Sequence, residues 1–178
     1  YSHTKLETDK FFWQKFCDNY LEIVKDRLYN PEKRGKEARL SAQYTLYSSL
    51  LAIIKLMAPI TPFITEELYH AFFKQHEKAK SIHLTKWPDL DIIDNKAENS
   101  GDFFIYVLQH ARRVKAEKSM SMKDPIKKII AKGKIGKITK SDFESIKDDL
   151  TATTKAEEIV FETLNKESKI DYEVVVDI

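Results

Sequence analysis

The chain has 178 residues, 42% of them hydrophobic, and a formal net charge of +2, enough apolar content for one ordinary domain or two small ones. No window approaches the roughly 18 consecutive apolar residues of a membrane span, and the single Cys17 excludes an internal disulfide framework or a multi-cysteine zinc site and fits a reducing compartment. Tyr1-Ser2-His3-Thr4 carries neither an initiator Met nor a signal pattern, so the chain reads as a piece of a longer polypeptide.

From Leu6 to Leu28 the residues Phe12, Phe16, Tyr20, Ile23, Val24 and Leu28 recur every three to four positions, with Lys15, Asp18, Glu22, Lys25 and Asp26 largely between them. This spacing predicts an amphipathic helix of roughly six turns. The run from Asn30 to Lys36 ends it with Pro31 and Gly35 in a basic loop. A second helix follows over Glu37 to Met57, and its increasingly apolar end predicts deep burial there. Pro59 cannot supply an N–H, Thr61 is a candidate cap, and Pro62 suits a first helical position, which together predict a tight corner. Phe63, Ile64, Leu68, Ala71 and Phe72 mark a third helix to about His76. Three helices on short connections predict an antiparallel bundle.

Ser81 to Leu84 reads as a short extended piece, and Trp87-Pro88-Asp89 as a turn pinning its ring against the bundle. The polar run Asp89 to Gly101 reads as a linker or an irregular crossover. A fourth helix is expected from Asp102, with Phe103, Phe104, Val107, Leu108, Ala111 and Val114 on one face. Beyond Ser119 the period changes: 125–131 is strand-like, 141–150 a short capped helix, 159–161 a short apolar run and 171–177 a β-branched strand. The expected fold is therefore mostly α, an antiparallel helix bundle (1–88), a linker and fourth bundle helix (89–118), and a small C-terminal α/β module (119–178).

Charge is unevenly spread. His110 to Lys140 carries eleven Lys/Arg against Glu117 and Asp124, a net of +9, whereas Ser141 to Ile178 has a net of −7. Such neighbouring blocks mean either a polyanion-binding face or two elements that neutralise one another. No catalytic constellation emerges. Gly133-Lys134-Ile135-Gly136 lacks the strand-loop-helix context of a phosphate loop, the five His are scattered without acidic partners at metal-ligand spacing, and Cys17 reads as a small packed residue. Glu66 and Glu67 lie where negative charge favours a helix start, a structural role. The candidate binding residues are Arg27, Lys33, Arg34, Lys36 and Arg39 around one end of the first hairpin, with Tyr29 among them. Cations beside an aromatic ring suit phosphate contacts and the stacking of unpaired bases.

The stretch Phe11 to Glu22 with Phe16-Cys17-Asp18-Asn19-Tyr20, then Arg27-Leu28-Tyr29, and the Ala58-Pro59-Ile60-Thr61-Pro62-Phe63-Ile64-Thr65-Glu66-Glu67-Leu68-Tyr69 corner resemble the anticodon-binding region of class I aminoacyl-tRNA synthetases, most of all the valyl branch. Ser81-Ile82-His83 and Trp87-Pro88 resemble the segment that follows it. The resemblance is strong over 10–90 and looser over 100–178. Asn19 stands where many valyl enzymes have an aromatic residue, and the missing coiled-coil arm implies a shorter-tailed lineage or a truncated chain.

The resemblance implies a tRNA-binding part of a cytoplasmic, monomeric ligase that attaches valine to its tRNA. Arg112, Arg113 and Lys115 would form a second backbone-contacting face. ATP and magnesium are implied for the whole enzyme and no cofactor for this piece, since the catalytic part of the same polypeptide lies elsewhere. Lys118-Ser119-Met120-Ser121-Met122-Lys123 resembles a catalytic signature in composition only, its order being wrong. Two other readings stay open: the same role in an isoleucyl or leucyl enzyme, and a mainly structural domain bracing the catalytic body.

Overall fold

The first helical stretch begins at Ser2 rather than Leu6 in a computed structural model of the chain, which describes residues 2–89 and 93–178. Its path runs through α1 (Ser2–Lys10), a π-helix (Phe11–Tyr20), α2 (Leu21–Ile23) and α3 (Lys25–Tyr29). The wide winding shows in the N–H of Leu21, which reaches back to the carbonyl of Phe16. Asn19, itself buried, adds a bond of the same span by donating from Nδ2 to the Gln14 carbonyl at 2.6 Å. Phe12, Phe16 and Tyr20, spaced by four, stack in a row with centroids 6.3 and 6.1 Å apart.

Asn30 leaves helical geometry and Pro31 opens α4 (Pro31–Arg34). Gly35, at φ 87° and ψ 153°, occupies a region essentially closed to other residues and turns the chain into α5 (Lys36–Met57). After the Pro59 corner comes α6 (Pro62–Phe72), shorter than its pattern predicts. The helices α1, α3, α4 and α6 all pack on α5. Leu51, Ile54, Ala58, Tyr69, Phe73 and Ile82 form one core cluster of this first unit, Tyr1–Asp91, with Tyr47, Leu50 and Leu68 against it. The apolar end of α5 is thus buried as its composition predicts.

Three local expectations are corrected. Thr61 sits at the N-cap of α6, but its hydroxyl donates to the Met57 carbonyl at 3.3 Å instead of capping the new helix. Of the expected extended piece Ser81 to Leu84 only Ser81 is extended: Ile82–Leu84 forms a 3₁₀ turn, and Ser81 Oγ accepts from the His83 N–H at 3.2 Å. Trp87 is not pinned to the bundle, since it is 62% exposed.

The second unit, Ile92–Ile178, opens with α7 (Asn95–Glu117). Asp94 accepts from the N–H groups of Lys96 and Ala97 at 2.9 and 3.0 Å, so the helix starts well before Asp102. The expected linker therefore shrinks, and 90–92 within it lie outside the described residues. α7 clusters with the second unit, where its apolar face meets the sheet: the Phe103 ring lies 5.9 Å from Phe161 and 5.3 Å from Tyr172.

The sheet is built from β1 (Ile126–Lys134), β2 (Ala156–Leu164) and β3 (Tyr172–Asp177) in the order β2-β1-β3. β1 runs parallel to β2, joined through α8 (Lys140–Thr154), and antiparallel to β3. Ile129 and Ala131 bury fully on one face of β1, and Ile126, Phe143 and Leu150, the last two from α8, are buried as well. A capping box starts α8: Thr139 Oγ1 accepts from Asp142 N–H at 3.2 Å, and Asp142 Oδ2 accepts from Thr139 N–H at 2.9 Å. Gly133 has a packing reason, since a Cβ there would fall 2.1 Å from Ile138 Cγ2.

Pairing β1 with both acidic strands decides much of the charge question. Lys128 meets Glu158 at 2.9 Å, Lys132 meets Glu173 at 3.2 Å, and Lys134 meets Asp171 at 3.7 Å. For the sheet, the neutralising alternative holds.

Candidate nucleic-acid interface

The basic end of the first unit is shaped by Asp26. Its Oδ1 accepts from Asn30 Nδ2 at 2.7 Å, its carbonyl accepts from the Asn30 N–H at 3.0 Å, and its buried Oδ2, with no hydrogen-bond partner among the described residues, faces Arg34 Nε at 3.7 Å. The Asn30 carbonyl then accepts from the N–H groups of Lys33 and Arg34 at 3.1 and 3.0 Å, closing the turn. The Arg34 side chain is only 10% exposed, so its charge is used inside the protein.

Around this hub the expected residues divide. Tyr29 is 77% exposed and Lys33, Lys36 and Arg39 are exposed too, whereas Arg27 is half-buried. All of them lie on α3, α4 or the first turn of α5, and α3 and α4 both pack on α5. An exposed aromatic ring in a stretch with three exposed cations supplies groups that can stack an unpaired base and hold phosphates.

The expected second face on α7 changes more. Arg112 is half-buried; Arg113 is exposed, its Nε 3.7 Å from Glu117 and its Nη2 3.1 and 3.3 Å from the ring nitrogens of His110. Burial, and then the Arg113 guanidinium, push the His110 pKa down. Lys115 must be withdrawn as a surface contact. It is 2% exposed, and its ammonium donates to the carbonyls of Met122 (3.1 Å), Asp124 (2.5 Å) and Thr154 (3.0 Å). All three donors are consumed. Burial lowers its pKa, opposed by Asp124.

The expected set contains nothing from a recess in the first unit lined by Lys55, Pro59, His83, Lys86 and Trp87. The signal available in the sequence is a tryptophan in a segment dense in cations, and residue types alone do not separate an open ring from a packed one.

The Gly133 end of β1 is filled by Ile138 rather than open to a phosphate, and among the described residues no group of three or more His, Cys, Asp or Glu is placed to hold a metal ion. Cys17 is half-buried; burial, then Asp18, raises its thiol pKa, opposite to an activated nucleophile. Among the described residues no helix is long and apolar enough to cross a membrane.

Residues 7–130 match the family model for the anticodon-binding domain of tRNA ligases. The chain is 36% identical over 173 residues to the valine–tRNA ligase of Rickettsia felis, covering 96% of this chain and 19% of that protein. It is 40% identical over 154 residues to that of Wolbachia pipientis wMel (85% and 17%), and 36% identical over 163 residues to that of Ehrlichia canis (90% and 19%). The chain thus spans about a fifth of the length of these relatives. With the family matched over most of its length and an exposed aromatic and basic end on its helical unit, the chain belongs to the anticodon-binding domain family of tRNA ligases.

Proposed function

We propose that this chain is the anticodon stem-loop binding part of a valine–tRNA ligase, serving ATP-dependent attachment of valine by a catalytic part outside it. The observation that carries the contact surface is the grouping of exposed Tyr29, Lys33, Lys36 and Arg39 around the Asp26 turn. Lysine and arginine there would set the register of the RNA through its phosphates, and Tyr29 would take an unpaired base. Arg27 at the edge of this group and Arg112 and Arg113 on α7 are secondary phosphate contacts in the same reading. The names of the relatives favour the valyl enzyme over the isoleucyl and leucyl ones. The cytoplasmic location and monomeric state implied by the resemblance go with this proposal. Titration with valine tRNA and with anticodon variants tests it: tighter binding of the valine anticodon supports it, and indifference to the anticodon contradicts it.

A bracing role is the second reading, and a specific observation favours it for the second unit. Lys128, Lys132 and Lys134 are paired with acids of the neighbouring strands and their ends. Neutralising Arg112 and Arg113 separates the readings, since RNA affinity falls in one and folding stability in the other.

A further inference from the structure

The segment after α6 is fastened before it reaches Trp87. Tyr47 Oη donates to Glu77 Oε1 at 2.8 Å, and Tyr69 Oη donates to the Ala79 carbonyl at 2.8 Å. Ser81 Oγ and the Ile82 N–H donate to Glu66 Oε2 at 2.9 and 3.0 Å, and Thr85 Oγ1 donates to the Ile82 carbonyl at 2.6 Å. Held this way, His83, Lys86 and Trp87 stand across from Lys55 and Pro59 over a recess of about 130 Å³.

Its chemistry is specific. No carboxylate lines it, and among the described residues neither Lys55 nor Lys86 has an ion-pair partner. Two uncompensated ammonium groups call for an anion. Beside them lies an indole exposed by 62%, on a floor that includes buried Ala58 and Ile82. The volume is well below the roughly 300 Å³ at which pockets for drug-sized ligands begin, so the recess suits one planar ring with a charged appendage.

We propose that this recess binds a single unpaired nucleotide of an RNA, its base against Trp87 and its phosphate between Lys55 and Lys86. The proposal rests on the reading of the chain as an RNA-binding domain and adds a second, separate contact. Lys36 and Lys55 lie nineteen residues apart on α5, roughly 28 Å along the helix. An RNA engaging both would run along the first unit rather than touch its basic end alone.

The test uses the chain with Trp13→Phe, which leaves Trp87 the only indole, titrated with an RNA hairpin bearing an unpaired loop and with a fully paired RNA of equal length. The hairpin should quench Trp87 emission and the paired RNA should not. Trp87→Ala should weaken hairpin binding about tenfold, with Trp87→Phe retaining most of the affinity. Lys55→Ala and Lys86→Ala should each reduce the slope of log K against log salt by about 0.7. Hairpin binding at unchanged affinity by Trp87→Ala, without quenching in the Trp13→Phe chain, overturns the recess and leaves RNA binding standing. Equal quenching by paired RNA overturns it too, as does shielding of Trp87 from iodide in the RNA-free whole synthetase, which would make the recess a protein contact. Loss of all RNA binding in the unsubstituted chain removes the underlying reading as well.

Discussion

Glu66 holds Ile82 across sixteen residues: its Oε2 accepts the Ile82 N–H at 3.0 Å while the Ile82 side chain is buried in the core beside Tyr69 and Phe73. The same oxygen accepts from Ser81 Oγ at 2.9 Å, and Oε1 lies 2.9 Å from His70 Nε2, so one of the scattered histidines does have an acidic partner one helical turn away. A residue whose position suggests only a favourable interaction with a helix dipole thus closes the segment after α6 onto the bundle.

Glu66 should make the first unit sensitive to acid. Burial pushes its pKa up, but the hydrogen bonds from Ser81, Ile82 and His70 outweigh burial and hold it below its ordinary value. A depressed carboxylate contributes stability that is fully present above its unfolded pKa and lost as pH falls through the folded one. Thermal melting should show Glu66→Gln less stable than the parent at neutral pH, with the difference shrinking as pH drops below about 4.5. A constant difference at all pH values would refute this.

Tyr47 gives the opposite limb. Burial, and then its bond to Glu77, push its pKa up to about 12. The neutral phenol is favoured in the fold, so its contribution is complete below the unfolded value of 10.0 and lost as pH climbs toward the folded one. Tyr47→Phe should lower stability at neutral pH and flatten the alkaline decline of the melting temperature.

Gly35 should resist substitution for backbone reasons alone. A Cβ added there would meet nothing within 4 Å, yet the φ of +87° strains any L side chain. Gly35→Ala should cost about 1–3 kcal/mol in urea denaturation.

Lys115 is expected to behave as an internal strut. Lys115→Met leaves the Met122, Asp124 and Thr154 carbonyls without their shared donor, a loss of about 1–3 kcal/mol. Hydrogen exchange should quicken at the end of α8 and around 122–126, while the folded protein keeps its RNA affinity. Weakened RNA binding at unchanged stability would restore Lys115 to the surface set.

The helices were legible because Phe16, Val24, Leu51, Ile54 and Phe103 recur at helical spacing, and the strands because β-branched residues cluster at Ile129-Ile130 and Val174-Val175-Val176. The family was legible in the Pro59 corner. Which surface α7 covers was not, since an aromatic face such as Phe103-Phe104 fits a bundle or a sheet equally well. Lys115 sits in a run of bases after Arg112 and Arg113, and its burial depends on carbonyls from a loop and from α8, up to 39 residues away. Arg34 likewise differs from Lys33 in facing Asp26, which lies on the preceding helix. Residue type carries charge; exposure belongs to tertiary structure.

The central claim, that the Tyr29, Lys33, Lys36 and Arg39 end binds tRNA, is tested most directly by filter binding of valine tRNA across a salt series. Affinity should fall linearly on a log–log plot, and the combined Lys33→Ala, Lys36→Ala and Arg39→Ala variant should lower the slope by about 2 while melting like the parent. Salt-independent binding, or a variant that binds as tightly and with the same slope, would contradict it.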